Sequence, residues 1–241
     1  MKKFLLLIYP FLFIGSFVFI YPTMADNSQL KLAQSSTYSN IQPTSKKDLL
    51  LKVPFTSQAP TGEWKDQRQQ DGCEEAVVAM AMAWVGEEKN IKPADWRLRI
   101  LILSTFEKKK YGEYRDVALA DMVKWLFKDY FSYDQATIKT INNPADILTE
   151  LEDGHIILAP MNGQALKNPN FTAPGPERHM ILIKGYDYQT KQFITNDPGT
   201  RRGENYRYSE NIILKAIRPY KTGYHLPFGK LNRQVIVVSK I

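Results

Sequence analysis

The chain has 241 residues, of which 44% are hydrophobic and 24% charged, and its formal net charge at pH 7 is +7. This composition excludes a globally disordered protein, and the length suits one compact domain after an N-terminal segment is set aside. The basic runs lack the stacking aromatic residues of a nucleic-acid-binding motif, so we expect no nucleic-acid partner.

The first 25 residues read as an export segment. Lys2 and Lys3 precede an apolar run over residues 4–21, and a small-residue pattern ends at Ala25. This arrangement is typical of a secretory signal peptide, although the run is long enough to serve as an N-terminal membrane anchor. We therefore expect a secreted or extracytoplasmic protein, cleaved after Ala25, with a membrane tether as the alternative.

Residues 26–48 are rich in Ser, Thr, Asn and Gln and show no apolar periodicity, which predicts a flexible polar linker. The folded domain is expected to span residues 49–241.

The predicted elements change in character along this domain. In "CEEAVVAMAMAW", apolar residues recur at intervals of three and four from Cys73 onward, which predicts a buried central helix. Further helices are predicted around residues 96–106, 115–130 and 144–151. After Gly154, short β-branched runs such as "HIILAP", "HMILIKGYD" and "RQVIVVSK" are typical of antiparallel strands. A helical N-terminal half packed on a C-terminal antiparallel sheet is an α+β fold.

Cys73 is the only cysteine of the chain, so it cannot form an internal disulfide. We predict that Asp71 is the N-cap of its helix and that Glu74 completes a capping box. The positive end of the helix dipole would then ease formation of a thiolate, while Asp71, Glu74 and Glu75 would oppose it. A working thiol here therefore needs a cationic partner.

Three histidines could be that partner, namely His155, His179 and His225. His179 has the best setting, because it opens an apolar strand and Asp197 ends the next strand-like run. If the two strands form a hairpin, Asp197 can orient the imidazole, as in a nucleophile–base–acid triad. Each residue also has an ordinary structural role, since a lone cysteine is often a buried filler and "NDPG" is a good turn.

The order of these motifs resembles a known family. "VPFTSQAP", a loop with a tryptophan, "DGCEEA" opening a helix, "HMILIKGYD" and "FITNDPGTRRGENYRYS" are similar to the papain-like cysteine peptidases of the bacteriocin-processing, double-glycine-peptidase-like group. Within this group the chain resembles the stand-alone, exported bacterial relatives. The resemblance covers about residues 51–217 and implies a papain-like peptidase fold.

The resemblance implies that Cys73 is the nucleophile, His179 the general base and Asp197 its orienting carboxylate. It also implies that a glutamine upstream of the cysteine supplies a donor to the oxyanion. Gln58, Gln67 and Gln70 are the candidates, and we favour Gln58 because it matches the "VP…SQ" segment. No metal or organic cofactor is implied.

The leading hypothesis is an extracytoplasmic cysteine peptidase that cleaves peptide, protein or cell-wall peptide substrates through a thioester, acting as a monomer. A non-catalytic peptide- or cell-wall-binding module on the same fold is one alternative. A cysteine amidase or acyltransferase acting on peptidoglycan peptides is another. A zinc site is disfavoured, since no paired Cys or His spacing supports it.

Overall fold

The computed structural model describes residues 46–240. The predicted export segment, residues 1–25, and most of the predicted linker, residues 26–48, lie outside this range. Within the described residues, no helix combines the length and the apolar character needed to cross a membrane.

Helices form most of the first half of the domain and recur between the later strands. In chain order they are α1 (Gln67–Gln70), α2 (Cys73–Val85), α3 (Pro93–Tyr111), α4 (Leu119–Met122, continuing as a π-helix over Val123–Tyr130), α5 (Pro144–Glu152), α6 (Gly163–Leu166) and α7 (Glu210–Ala216).

The described strands form one antiparallel sheet. They are β1 (Leu49–Leu50), β2 (Ala136–Thr140), β3 (Ile156–Met161), β4 (His179–Asp187), β5 (Gln192–Asn196), β6 (Tyr206–Ser209) and β7 (Gln234–Val238). The order across the sheet is β2-β7-β3-β4-β5-β6, and β1 pairs with the end of β4. The predicted α+β class and the predicted β4–β5 hairpin are both confirmed.

The sheet is covered by helices on both faces. On one face Met180 and Leu182 of β4 belong to the same core as α2 and α3, while on the other Ile181 and Ile183 pack with α5 and α7. Adjacent residues of a strand point to opposite faces, so β4 is buried along its whole length. This central strand is therefore a rigid support for the residue at its start, His179.

Two local features differ from the prediction. The helix predicted over residues 115–130 begins only at Leu119, because Asp116 has a positive φ of 50° that a helix cannot accommodate. Strand β2 also interrupts the helical half of the sequence, between the π-helix and α5, and lies at the edge of the sheet. Four of its five residues are exposed, so its sequence shows no alternation of apolar and polar residues.

Candidate active site

Cys73 is the first residue of α2, at the point where the helix presents its unpaired backbone N–H groups. The preceding Gly72 is required by a close approach: a Cβ there would lie 2.3 Å from the backbone oxygen of Arg68 and 3.1 Å from Ile100. Only glycine lets the turn between α1 and α2 pack this tightly. The Cys73 side chain is 7% exposed and reaches a cleft.

The capping predicted for this helix is wrong. The N-cap is Gly72, with no side-chain cap, and Asp71 instead ends α1 and accepts a hydrogen bond from Gln67 Nε2 (2.5 Å). Glu74 does not cap the helix either. Its side chain is 1% exposed, and Cys73 Sγ donates to its Oε2 atom at 2.9 Å.

His179 begins β4, and Asp197 directly follows β5. Because the two strands are antiparallel neighbours, with Leu182 opposite Asn196, the start of one lies beside the end of the other. His179 Nε2 and Asp197 Oδ1 are 2.7 Å apart. Asp197 therefore engages Nε2 and leaves Nδ1 as the ring nitrogen for another partner.

Asp197 is fully buried and held by four hydrogen bonds. Besides His179, the donors are the Gly199 backbone N–H to Oδ1 (3.0 Å), and Tyr208 Oη (2.6 Å) and Asn168 Nδ2 (3.3 Å) to Oδ2. Burial alone would raise the pKa of Asp197, but the charge of His179 and these donors outweigh it and lower the pKa. A carboxylate fixed in this way orients the imidazole.

The imidazole is also confined by its apolar surroundings. The ring of Phe171 meets it edge-on, with centroids 5.3 Å apart. A Cβ at Gly199 would lie 2.8 Å from His179 Cε1 and 2.9 Å from Phe171 Cε1, so a larger residue there would displace one of the two rings.

Cys73 and His179 line the same cleft, whose volume is about 1050 Å³. Residues 169–178, the loop before His179, line it together with Gly199, Thr200 and the two arginines that follow. Trp64 and the α1 residues Gln67 and Gln70 line it as well. Of residues 156–166, only Gln164 lines the cleft.

All three candidate glutamines line the cleft, but they differ in burial. Gln58 is 6% exposed, and its Nε2 donates to the backbone oxygen of Gln70 at 2.7 Å. Gln67 and Gln70 lie on α1 and are exposed. An amide group has two N–H bonds, so the bond to Gln70 fixes the Gln58 side chain and leaves one N–H for a ligand.

The electrostatics of Cys73 differ from the prediction. Burial raises the pKa of the thiol well above its ordinary value, and the charges of Glu74, Glu75 and Asp116 act in the same direction. Together they outweigh the helix N-terminus, whose effect is only about 0.3–1 kcal/mol. The folded site therefore favours the neutral thiol, which is opposite to the effect expected from the helix N-terminus alone.

Behind the cysteine lie three buried carboxyl groups, Glu74, Glu75 and Glu107. Burial raises the pKa of Glu74 to about 7. It also raises the pKa of Glu75 and Glu107 well above the usual value, helped by the charge of Glu74 on Glu75 and of Glu75 on Glu107. Ser104 Oγ donates to Glu75 at 2.6 Å. Glu75 and Glu107 therefore favour their protonated forms in the folded protein, while Glu74 titrates near neutral pH.

This cluster predicts that stability falls as pH rises above the unfolded carboxyl pKa. A raised folded-state pKa means that the folded state binds more protons than the unfolded state. The contribution of these groups to the free energy of unfolding is therefore greatest below about pH 4.5, and it is lost as the pH rises through the folded-state pKa. For Glu74 the change from 4.5 to about 7 corresponds to about 3 kcal/mol. We expect Glu107→Gln, which removes one buried ionisation, to raise the melting temperature at pH 8 by about 3 °C or more and by less at pH 5.

Thermal unfolding at pH 5, 6, 7 and 8 measures this effect. Glu87→Gln is the matched control, since that side chain is exposed and paired with Lys240. A Glu107→Gln variant whose melting temperature falls with pH as steeply as that of the wild type would contradict the prediction.

The other two histidines are less buried than His179. His155 Nδ1 pairs with Glu150 Oε2 at 2.9 Å and does not line the cleft. His225 is exposed at the cleft, stacks on Tyr224, and donates its backbone N–H to Asp116. Only His179 combines burial, a carboxylate partner and a place in the cleft that Cys73 lines.

Several residues of the site were not predicted. Tyr208 and Asn168 hold Asp197, and Tyr220 Oη donates to Glu74 Oε1 at 2.6 Å. Tyr208 stands in the quoted motif "GENYRYS", but no spacing rule marks it as a partner of Asp197. Tyr220 is 146 residues from Glu74 in sequence, and no local pattern could have linked the two.

Within residues 46–240, no group of three or more His, Cys, Asp or Glu side chains is arranged to hold a metal ion.

Comparison with known proteins identifies a family for this chain. The sequence profile of the Peptidase_C39-like family matches residues 50–223. Among solved structures, a candidate C39-like peptidase from Bacillus anthracis is 14% identical, with a TM-score of 0.49, over 80% of this chain and 98% of that chain. No curated protein matches the chain.

Proposed function

Because the chain belongs to the Peptidase_C39-like family, we propose that it is a cysteine peptidase that hydrolyses peptide amide bonds at Cys73. The observation that carries the proposal is that His179, 2.7 Å from the buried Asp197, lines the same cleft as a thiol at a helix N-terminus. The residues fit the roles of nucleophile, base and orienting acid.

Acylation begins with a proton transfer. Asp197 accepts a hydrogen bond from the Nε2–H group of His179, so in the neutral imidazole the unprotonated nitrogen is Nδ1. As Nδ1 takes the thiol proton, Sγ attacks the carbonyl carbon of the substrate. Because the folded site favours the neutral thiol, proton transfer to His179 and attack by sulfur are coupled and do not start from a preformed thiolate.

Breakdown of the tetrahedral intermediate releases the first product. The imidazolium returns its proton to the leaving nitrogen, the C–N bond breaks, and a thioester to Cys73 remains. A water molecule, deprotonated by His179, then attacks the thioester, and the thiol is regenerated with release of the acid product.

The oxyanion is stabilised by two N–H donors, the free amide N–H of Gln58 and the backbone N–H of Cys73. Removing one such donor typically costs on the order of 10²–10³ in kcat. We therefore expect Gln58→Ala to lower kcat by that factor with a smaller change in KM.

Gln67→Ala is the matched control, because Gln67 also lines the cleft but is exposed and bonded to Asp71. Steady-state kinetics on one peptide substrate would separate the candidates. A larger loss of kcat in Gln67→Ala than in Gln58→Ala would assign the donor to Gln67.

We also place this activity outside the cytoplasm, on peptide, protein or cell-wall peptide substrates. Lys2 and Lys3, the apolar run and the polar linker support export. The cleft has a volume of about 1050 Å³, which offers room for several residues of a peptide substrate.

Incubation of the protein with casein and with purified peptidoglycan tests the reaction and its substrate. Iodoacetamide-treated protein is a clean control, since Cys73 is the only thiol. New amino termini from either substrate, blocked by the treatment, are the expected result. Turnover that survives complete alkylation, or acyl transfer without net hydrolysis, would overturn the peptidase assignment.

A further inference from the structure

The proposed mechanism leaves one contact of the nucleophile unused. Cys73 Sγ lies 2.9 Å from Glu74 Oε2, and Tyr220 Oη donates to Glu74 Oε1 at 2.6 Å. Tyr220 Oη also lies 3.5 Å from the backbone oxygen of His179. Glu74 and Tyr220 are buried, so this chain of contacts connects the thiol to the start of β4 without solvent.

The contact with Tyr220 decides which carboxyl oxygen can carry a proton. Because Tyr220 donates to Oε1, that atom is an acceptor, and a proton on Glu74 belongs on Oε2, the atom that faces sulfur. Glu74 can thus meet Cys73 in two ways. Its carboxylate accepts from S–H, or its carboxyl group donates to a thiolate.

The charges around Glu74 come from several elements. Glu75 lies beside it on α2, and Glu107 is on α3. Asp116 lies between α3 and α4, and Tyr220 follows α7. Arg178 lies behind Asp116, with Nε 3.8 Å from its Oδ2. The acidic neighbours make a second anion beside Glu74 unfavourable.

We propose that Glu74 is a positioning residue that controls the protonation of the nucleophile. Its carboxylate retains the thiol proton of Cys73, and its carboxyl form releases that proton to His179 by donating to the sulfur. The inference deepens the proposed peptidase function and rests on it for its catalytic meaning.

The proton balance differs between the two forms. With Glu74 protonated, the thiol proton passes to His179 Nδ1, and the O–H on Oε2 donates to the thiolate. With Glu74 ionised, the same transfer would leave a thiolate and a carboxylate side by side in a buried site, which is costly. Burial raises the pKa of Glu74 to about 7, so both forms are populated near neutral pH.

Alkylation of Cys73 by iodoacetamide, followed by intact-protein mass spectrometry, measures this control directly and needs no peptidase activity. In Glu74→Gln the amide can donate to sulfur at any pH and cannot ionise. We expect this variant to react on the order of tenfold faster than the wild type at pH 8 and within about threefold of it at pH 6. A role in packing alone would give a ratio that does not change with pH.

Glu107→Gln is the matched control, since it also removes a buried carboxyl group but does not contact sulfur. We expect its rate to follow the wild-type pH profile. A rate ratio of Glu74→Gln to wild type that is equal at pH 6 and pH 8, or lower at pH 8, would overturn the proposal.

Tyr220→Phe provides a second test if Glu74→Gln does not fold. The hydroxyl of Tyr220 lowers the pKa of Glu74, so its loss should keep Glu74 protonated to higher pH. We expect the alkylation rate of Tyr220→Phe to exceed that of the wild type most at pH 7–8. An unchanged pH profile would contradict the inference. Absent hydrolysis with the expected alkylation pattern would instead count against the peptidase function alone.

Discussion

Replacing Cys73 with alanine is expected to abolish peptide hydrolysis, with a loss in kcat on the order of 10⁵ or more. The sulfur is the only atom at the N-terminus of α2 that can form the acyl intermediate, and the backbone N–H of residue 73 remains in place. Alanine is a strong helix former, so α2 should keep its structure. The measurement is kcat on a peptide substrate, beside the melting temperature as a control for folding.

The outcome that would contradict this prediction is specific. If Cys73→Ala retains more than about one per cent of the wild-type kcat with an unchanged melting temperature, the nucleophile lies elsewhere or the reaction does not pass through a thioester.

Replacing His179 with glutamine is expected to lower kcat by a comparable factor, on the order of 10⁴–10⁵. The side chain is 2% exposed, and glutamine can still bond to Asp197, so the loss is one of chemistry. Glutamine has no group that can take the thiol proton near neutral pH. Because the folded site favours the neutral thiol, little thiolate forms without this base.

His155→Gln is the matched control, since it makes the same substitution at a histidine paired with Glu150 outside the cleft. We expect its kcat to stay within about twofold of the wild type, because substitutions outside the core and the active site usually have small effects. Equal losses in the two variants would mean that the effect of His179→Gln is structural.

Much of the arrangement could be predicted from local sequence. The intervals of three and four after Cys73 predict α2, and the short β-branched runs predict β3, β4, β5 and β7, because both patterns follow the periodicity of a buried face. The hairpin that brings His179 beside Asp197 follows from two strands joined by a polar turn. Each of Cys73 and His179 also has an ordinary structural interpretation, and the resemblance to a peptidase family favoured the catalytic one.

The electrostatics of the site could not be predicted in this way. The residues after Cys73 look like a solvated helix N-terminus, and Asp71 and Glu74 fit a capping box. In the structure α3 and Tyr220 cover this end of α2, so Glu74 and Glu75 are buried. Burial by distant segments reverses the expected shift of the thiol pKa, and such contacts leave no local pattern in the sequence.

The hydrogen bonds that fix Asp197 could not be predicted from local sequence either. Its hairpin position is local, but Asn168 comes from a loop 29 residues earlier and Tyr208 from β6. Asparagine is common in loops and tyrosine in strands, so neither residue stands out in the sequence. Their convergence depends on how the loop before His179 folds over the sheet edge, which only the tertiary structure shows.

The most direct measurement is an acid quench of the protein during turnover of a diverse peptide library, followed by mass spectrometry of its peptides. We predict hydrolysed library peptides together with an acyl group on the fragment that contains Cys73, and neither product with Cys73→Ala. Absence of hydrolysis across the library, or hydrolysis that proceeds equally in Cys73→Ala, would contradict the account.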